Sequence, residues 1–115
     1  MKTVQEFRYH KVKCWPEYFD AVKSGDKTFE LRKNDRNYRA GDVLCLQAWD
    51  PDTGLYVGAE YEVLITYTTT FVDALKDGFI AMGIRPANLF KVRCASCLSG
   101  FRTYDKAHTH CSNCL

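Results

Sequence analysis

The segment GDKTFELRKNDRNYRAGD runs from Gly25 to Asp42, and charged side chains fill half of it. Inside it, TFEL has strand-forming character. On the two-residue period of a strand, Phe29 and Leu31 point one way, while Thr28, Glu30, Arg32 and Asn34 point the other. The simplest reading sends Phe29 and Leu31 into a core and turns Glu30 and Arg32 away from it. Lys27 sits at the start of the strand, just past Gly25, and Lys33, Arg36 and Arg39 follow in a short loop. From Lys23 to Arg39 six basic residues stand against three acidic ones, a local excess of +3.

A solvated strand face with an ordinary ion pair is one account of this pattern, and surface pairs contribute only about 0–1 kcal/mol. The mixture of residue types supports a second account. Lys and Arg hold phosphates. Glu30 among them offers an acceptor for a base amino group. Tyr38, Tyr9 or Trp15 would supply a ring for stacking.

Outward from this segment the chain reads as short elements. FRYHKVKC (7–14) is a first strand. WPEYFDAVKSG is a short helix, with Pro16 at its first position, Glu17 in its first turn and Gly25 as its stop. AGD (40–42) is a turn. VLCLQAW (43–49) is apolar on both faces and reads as a central strand. DPDTG (50–54) is a strong turn signal. YVGAEYEVLITYTTT is a long strand with Tyr61, Val63, Ile65 and Tyr67 on one face. FVDALKDG forms a helix or turn, FIAMGI is a last strand, and Pro86 marks the end of the main unit. Several short strands with one early helix give an expected fold class of α+β: a small, strongly curved sheet or barrel.

Composition bounds the alternatives. At 115 residues, 46% hydrophobic and 14% aromatic, the chain is one domain, or one domain with an appendage. No apolar run approaches the roughly 18–20 residues that span a bilayer. The opening MKTVQEFRYHKVK has no apolar stretch of a signal peptide, so a soluble, cytoplasmic protein without a membrane partner is expected. The net charge of +2 favours no partner by itself. His10 is isolated in a strand and reads as structural. Cys14 and Cys45, in VKCW and VLCL, read as small buried hydrophobes.

GDKTFELR fits the Gly-x-Lys-x-x-Glu-x-Arg signature of the ASCH domains, relatives of the PUA RNA-binding barrels. The longer stretch HKVKCWPEYFDAVKSGDKTFELRKNDRNYRAGDVL, the DPDTG hairpin, LITYT and LKDGFIAMGI together resemble a bacterial and bacteriophage branch of that superfamily, of unknown function. The resemblance covers roughly residues 10–84. It implies a PUA-like β-barrel with flanking short helices and a cleft lined by Lys27, Glu30 and Arg32, with Lys33, Asn34 and Arg36 at the rim, and RNA or a nucleotide as ligand. Some small ASCH proteins are amidohydrolases that deacetylate N4-acetylcytidine, with a catalytic Lys and a Thr three residues later. Here Lys27 is kept but Glu30 stands at the Thr position, so direct carry-over of that activity fails. Lys27 would act as a base only if burial lowered its pKa, and a neighbouring Glu30 opposes that.

The last 22 residues hold Cys94, Cys97, Cys111 and Cys114 as two C-x2-C pairs. Four thiolates close a tetrahedral zinc site. The 13 residues between the pairs fall slightly short of the common 15–20-residue spacing, yet suffice for a hairpin. LFKVR would supply a leading strand, and Phe101 and Tyr104 would cover the metal. Disulfides would require an oxidising compartment. Replacement of Cys111 by His108 or His110 would leave a paired cysteine unused. A closed four-cysteine site makes the zinc structural, one per chain.

The sequence therefore divides into an ASCH/PUA-like barrel at 1–88 and a zinc ribbon at 89–115. The expected function is RNA or nucleotide binding in a monomer, without catalytic residues. An amidohydrolase on a modified nucleoside is the alternative, and a protein-interaction adaptor using the ribbon is a third.

Overall fold

A computed structural model of the chain describes residues 4–5, 7–71, 73–93 and 100–103. Its strands are β1 (Val4–Gln5), β2 (Tyr9–Cys14), β3 (Phe29–Lys33), β4 (Val43–Asp50), β5 (Leu55–Thr69), β6 (Phe79–Pro86), β7 (Phe90–Arg93) and β8 (Gly100–Thr103). The helix α1 (Pro16–Ser24) is the sole helix among the described residues. Among the described residues the protein is thus mostly β, a curled sheet with one short helix, and residues 73–78 run as turns, one of the two forms expected for that segment.

Five strands form the main sheet in the order β2-β4-β5-β6-β3. Only β2 and β4 run parallel, since α1 and β3 lie in the crossover between them. All other neighbours are antiparallel. β4 is an interior strand, between β2 and β5, and its Val43, Leu44, Cys45 and Leu46 are all buried, as a strand covered on both faces requires. Pro16 opens α1, and Gly25 ends it in the left-handed region at φ 89°, its N–H donating to the Val22 carbonyl. Phe19 and Val22 turn the buried face of α1 onto Val12, Leu44, Leu46, Ile65 and Met82.

The long strand β5 changes register between Ile65 and Tyr67. Val63 and Ile65 are buried as expected, but the shift turns Tyr67 outward, so it does not continue their face. Gly83 sits at this irregularity. A Cβ there would lie 3.0 Å from the Thr66 hydroxyl, so glycine admits the extra residue.

The second sheet has the order β1-β8-β7. β7, within the expected LFKVR strand, pairs antiparallel with β8, and β1 joins β8 in parallel. Arg102 on β8 donates to Glu62 on β5, and its guanidinium lies over the Tyr9 ring. Phe7, Tyr9 and Leu89 pack on Val43, Leu64 and Ala87, covering one end of the outer face of the main sheet.

β3 corrects the sequence reading of its faces. Phe29 is 49% exposed and Leu31 56%, while Glu30 is only 4% exposed. The register agrees: Glu30 pairs with Met82 and Arg32 with Ile80, both core residues, whereas Phe29 and Leu31 pair with Gly83 and Ala81 on the outside. Directly opposed residues share a face, so the carboxylate faces inward. Burial of Glu30 is tolerated because two cations are delivered to it.

Candidate functional site

β2 and β3 are the two edges of the main sheet, and the side chain of Arg32 bridges them. Its Nη2 donates to the Lys13 carbonyl on β2, while its Nε donates to Glu30 Oε2 at 2.9 Å. Lys27 reaches the same carboxylate from the other side, Nζ to Oε1 at 2.5 Å. Its backbone is fixed by the turn that ends α1, where Lys27 N–H donates to the Ala21 carbonyl. Both oxygens of Glu30 are therefore held by cations, and Lys27 and Arg32 keep part of their surface in solvent. Such an arrangement holds two positive groups in fixed places, with Glu30 committed to them rather than open to a base amino group.

This ion triad lines a groove of about 780 Å3 between β2 and β3. Lys11 and Lys13 border it on the β2 side, and Lys33 and Arg36 on the β3 side. Trp15 and Tyr18 stand at its α1 end, half exposed, with ring centroids 5.8 Å apart and planes inclined by 16°. The Lys27 ammonium lies 5.6 Å from the Tyr18 ring and 5.1 Å from the Phe29 ring, within range of cation–π attraction. Cys14 also lines the groove. Burial, followed by the negative Glu30 beside it, pushes its thiol up to about 11. It is thus a protonated, inert thiol near neutral pH.

Of the residues expected from the sequence, Lys27, Glu30, Arg32, Lys33 and Arg36 meet at this groove. Asn34 does not line it: its Oδ1 accepts from the Tyr38 N–H at 3.2 Å and shapes the loop. Among the three candidate rings, Trp15 faces the groove. Tyr38 borders it but is buried edge-on against His10, and burial raises its phenol pKa. Tyr9 lies elsewhere, donating to Glu62. His10 is held by Asp42 Oδ2 at 2.9 Å, and the same oxygen accepts from the Arg39 N–H. That is a structural tie between β2 and the loop before β4.

Lys11, Lys13, Cys14 and Tyr18 were missed. The outward alternation of Lys11 and Lys13 was visible, but only the curl of the sheet brings β2 opposite β3. Cys94, Cys97, Cys111 and Cys114, with His108 and His110, lie outside the described residues. Among the described residues no group of His, Cys, Asp and Glu is placed to hold a metal. Likewise no helix among them is long and apolar enough to cross a membrane.

Residues 9–84 match the family described as Domain of unknown function (DUF3850), and the chain belongs to that family. The matched segment contains the whole ion triad and both walls of the groove. The chain is also similar to an uncharacterized 12.9 kDa protein in the GpA 3' region of Escherichia phage P2, 43% identical over 70 residues. That alignment covers 61% of this chain, which spans 62% of the relative.

Proposed function

We propose that the groove binds single-stranded RNA or a nucleotide, in keeping with the ASCH/PUA-like resemblance. One observation carries the reading: a buried carboxylate fixes two cations on the floor of an open groove that is flanked by more cations and by half-exposed rings. Phosphates would meet Lys11, Lys13, Lys33 and Arg36, and bases would stack on Trp15 and Tyr18. Exposed rings in a groove suit unpaired bases, whose faces are free, better than a duplex. Glu30 serves here as the anchor for Lys27 and Arg32. We also propose a structural zinc held by Cys94, Cys97, Cys111 and Cys114, supported by their spacing and by the strand pair β7–β8 that brackets the first two in sequence.

Fluorescence anisotropy with short single-stranded RNA at several salt concentrations tests the binding. Trp15→Ala should weaken it by about 1–3 kcal/mol, the scale of one lost stacking contact. Lys33→Ala and Arg36→Ala should each lower the salt slope by about one. Binding that is absent, or indifferent to all three changes, rejects the groove as the site. Release of acetate from N4-acetylcytidine by the unaltered protein would instead establish the hydrolase reading.

A further inference from the structure

The rings that border the groove stand further apart than one base requires. Trp15, Tyr18 and Phe29 form one group around Lys27, whose ammonium lies near the Tyr18 and Phe29 rings. Phe79 borders the same groove from the start of β6, where it lies opposite Lys33. Phe29 and Lys33 are the two ends of β3. A strand rises about 3.3 Å per residue, so the positions of Phe29 and Phe79 stand about 13 Å apart along the ladder. Both side chains are exposed. A base stacked on either ring lies near the short end of the range of about 4.5–7 Å for aromatic pairs, so one base does not serve both.

The other wall spaces its charges in the same way. Lys11 and Lys13 are two residues apart on β2, so they share a face at a separation of about 7 Å. That spacing suits consecutive phosphates of an extended strand. Lys13 is steadied by Trp49, whose ring centre lies 4.5 Å from its ammonium. Tyr56, the β5 partner of Trp49, borders the groove as a further exposed ring. At the far end Lys33 stands beside Phe79, and Arg36 follows in the next loop.

We propose that the groove takes a run of at least two unpaired nucleotides rather than a mononucleotide. The inference rests on the RNA or nucleotide reading of the groove and chooses between its two ligands. The backbone follows Lys11 and Lys13. One base lies at Trp15 and Tyr18, and another, further along, lies at Phe79. A mononucleotide fills the first position and leaves the second ring and its neighbouring cations unused.

Fluorescence titration of the full chain with uridine monophosphate and with the uridine dinucleotide, tetranucleotide and octanucleotide tests the proposal. Affinity should rise at least about tenfold from the mononucleotide to the tetranucleotide. Added phosphates alone would also raise it, so the second ring is tested directly. Phe79→Leu keeps apolar bulk on the sheet and removes the ring. It should weaken tetranucleotide binding about fivefold or more, the scale of one lost stacking contact, and leave uridine monophosphate unaffected. The salt slope and the circular dichroism spectrum should not change, because no charge and little apolar volume is removed. Trp15→Ala should weaken every length. Uridine monophosphate bound within about threefold of the octanucleotide would overturn the proposal and leave a nucleotide site standing. A Phe79→Leu protein that binds the tetranucleotide unchanged, or that loses the mononucleotide equally, would also overturn it. Absence of binding at every length would overturn both this proposal and the reading of the groove on which it rests.

Discussion

Glu30→Ala is the perturbation that tests the ion triad most directly. The carboxylate accepts charge-assisted hydrogen bonds from Lys27 and Arg32, and such bonds contribute about 1.5–3 kcal/mol each. Removing one member of a fully buried pair typically costs 3–5 kcal/mol, because the remaining charge is stranded. Here the side chains of Lys27 and Arg32 are 18% and 21% exposed, so both cations regain some water when released. The expected loss is therefore about 2–4 kcal/mol, a fall in Tm of about 10 °C for a domain of this size. Part of it arises because Arg32 loses the anchor that aims Nη2 at the Lys13 carbonyl across the open side of the sheet. Thermal and urea unfolding of the full chain, followed by circular dichroism, would measure the loss. The triple change Lys27→Met, Glu30→Met, Arg32→Met should recover most of it, since the inward side chains of β3 face Met82 and Ile80 and no charge is left buried. A Glu30→Ala protein within 0.5 kcal/mol of the unaltered one would refute the reasoning, as would a triple variant less stable than the single one.

Three further outcomes are expected. The Cys14 thiol titrates at 9.0 when unperturbed and is pushed up to about 11 in the folded chain. The folded state therefore holds the proton longer: its contribution is complete below pH 9 and is lost as pH rises from 9 toward 11. Stability of Cys14→Ala should fall less steeply over that window, and an equal slope in urea titrations would remove the claim. A chain ending at Asn88 retains all five strands of the main sheet but loses the Arg102–Glu62 pair and the β8 partner of β1. It should still melt cooperatively, at a somewhat lower temperature, whereas a non-cooperative melt would show that both sheets form one folding unit. Elemental analysis of protein purified without chelator should find about one zinc per chain, and its removal should lower stability in a reversible, zinc-dependent way. Protein that lacks zinc and carries disulfides would refute the four-cysteine site.

Much of this protein follows from local sequence. Pro16 and Gly25 bound the helix because one fits its first turn and the other adopts the left-handed conformation at its end. Asp50 and Gly54 close the turn between β4 and β5, the Gly54 N–H donating to the Asp50 carbonyl. Val43 to Leu46, apolar at successive positions, specify a strand covered on both sides. The Lys27–Glu30–Arg32 cluster was also legible, since spacings of two and three residues around a helix stop keep these side chains close.

Which face of β3 turns inward was settled only by tertiary structure. Alternating side chains define two faces without saying which is buried, and an inward carboxylate becomes tolerable once two cations reach it. Phe29 and Leu31 therefore lie outside and Glu30 inside, against the hydrophobicity of the pattern. The groove itself is non-local in the same way. Lys13 and Arg32 meet because β2 pairs in parallel with β4 while β3 pairs with β6, and the curl of the sheet brings its two free edges together. No short segment carries that pairing, because it depends on how distant strands share one core.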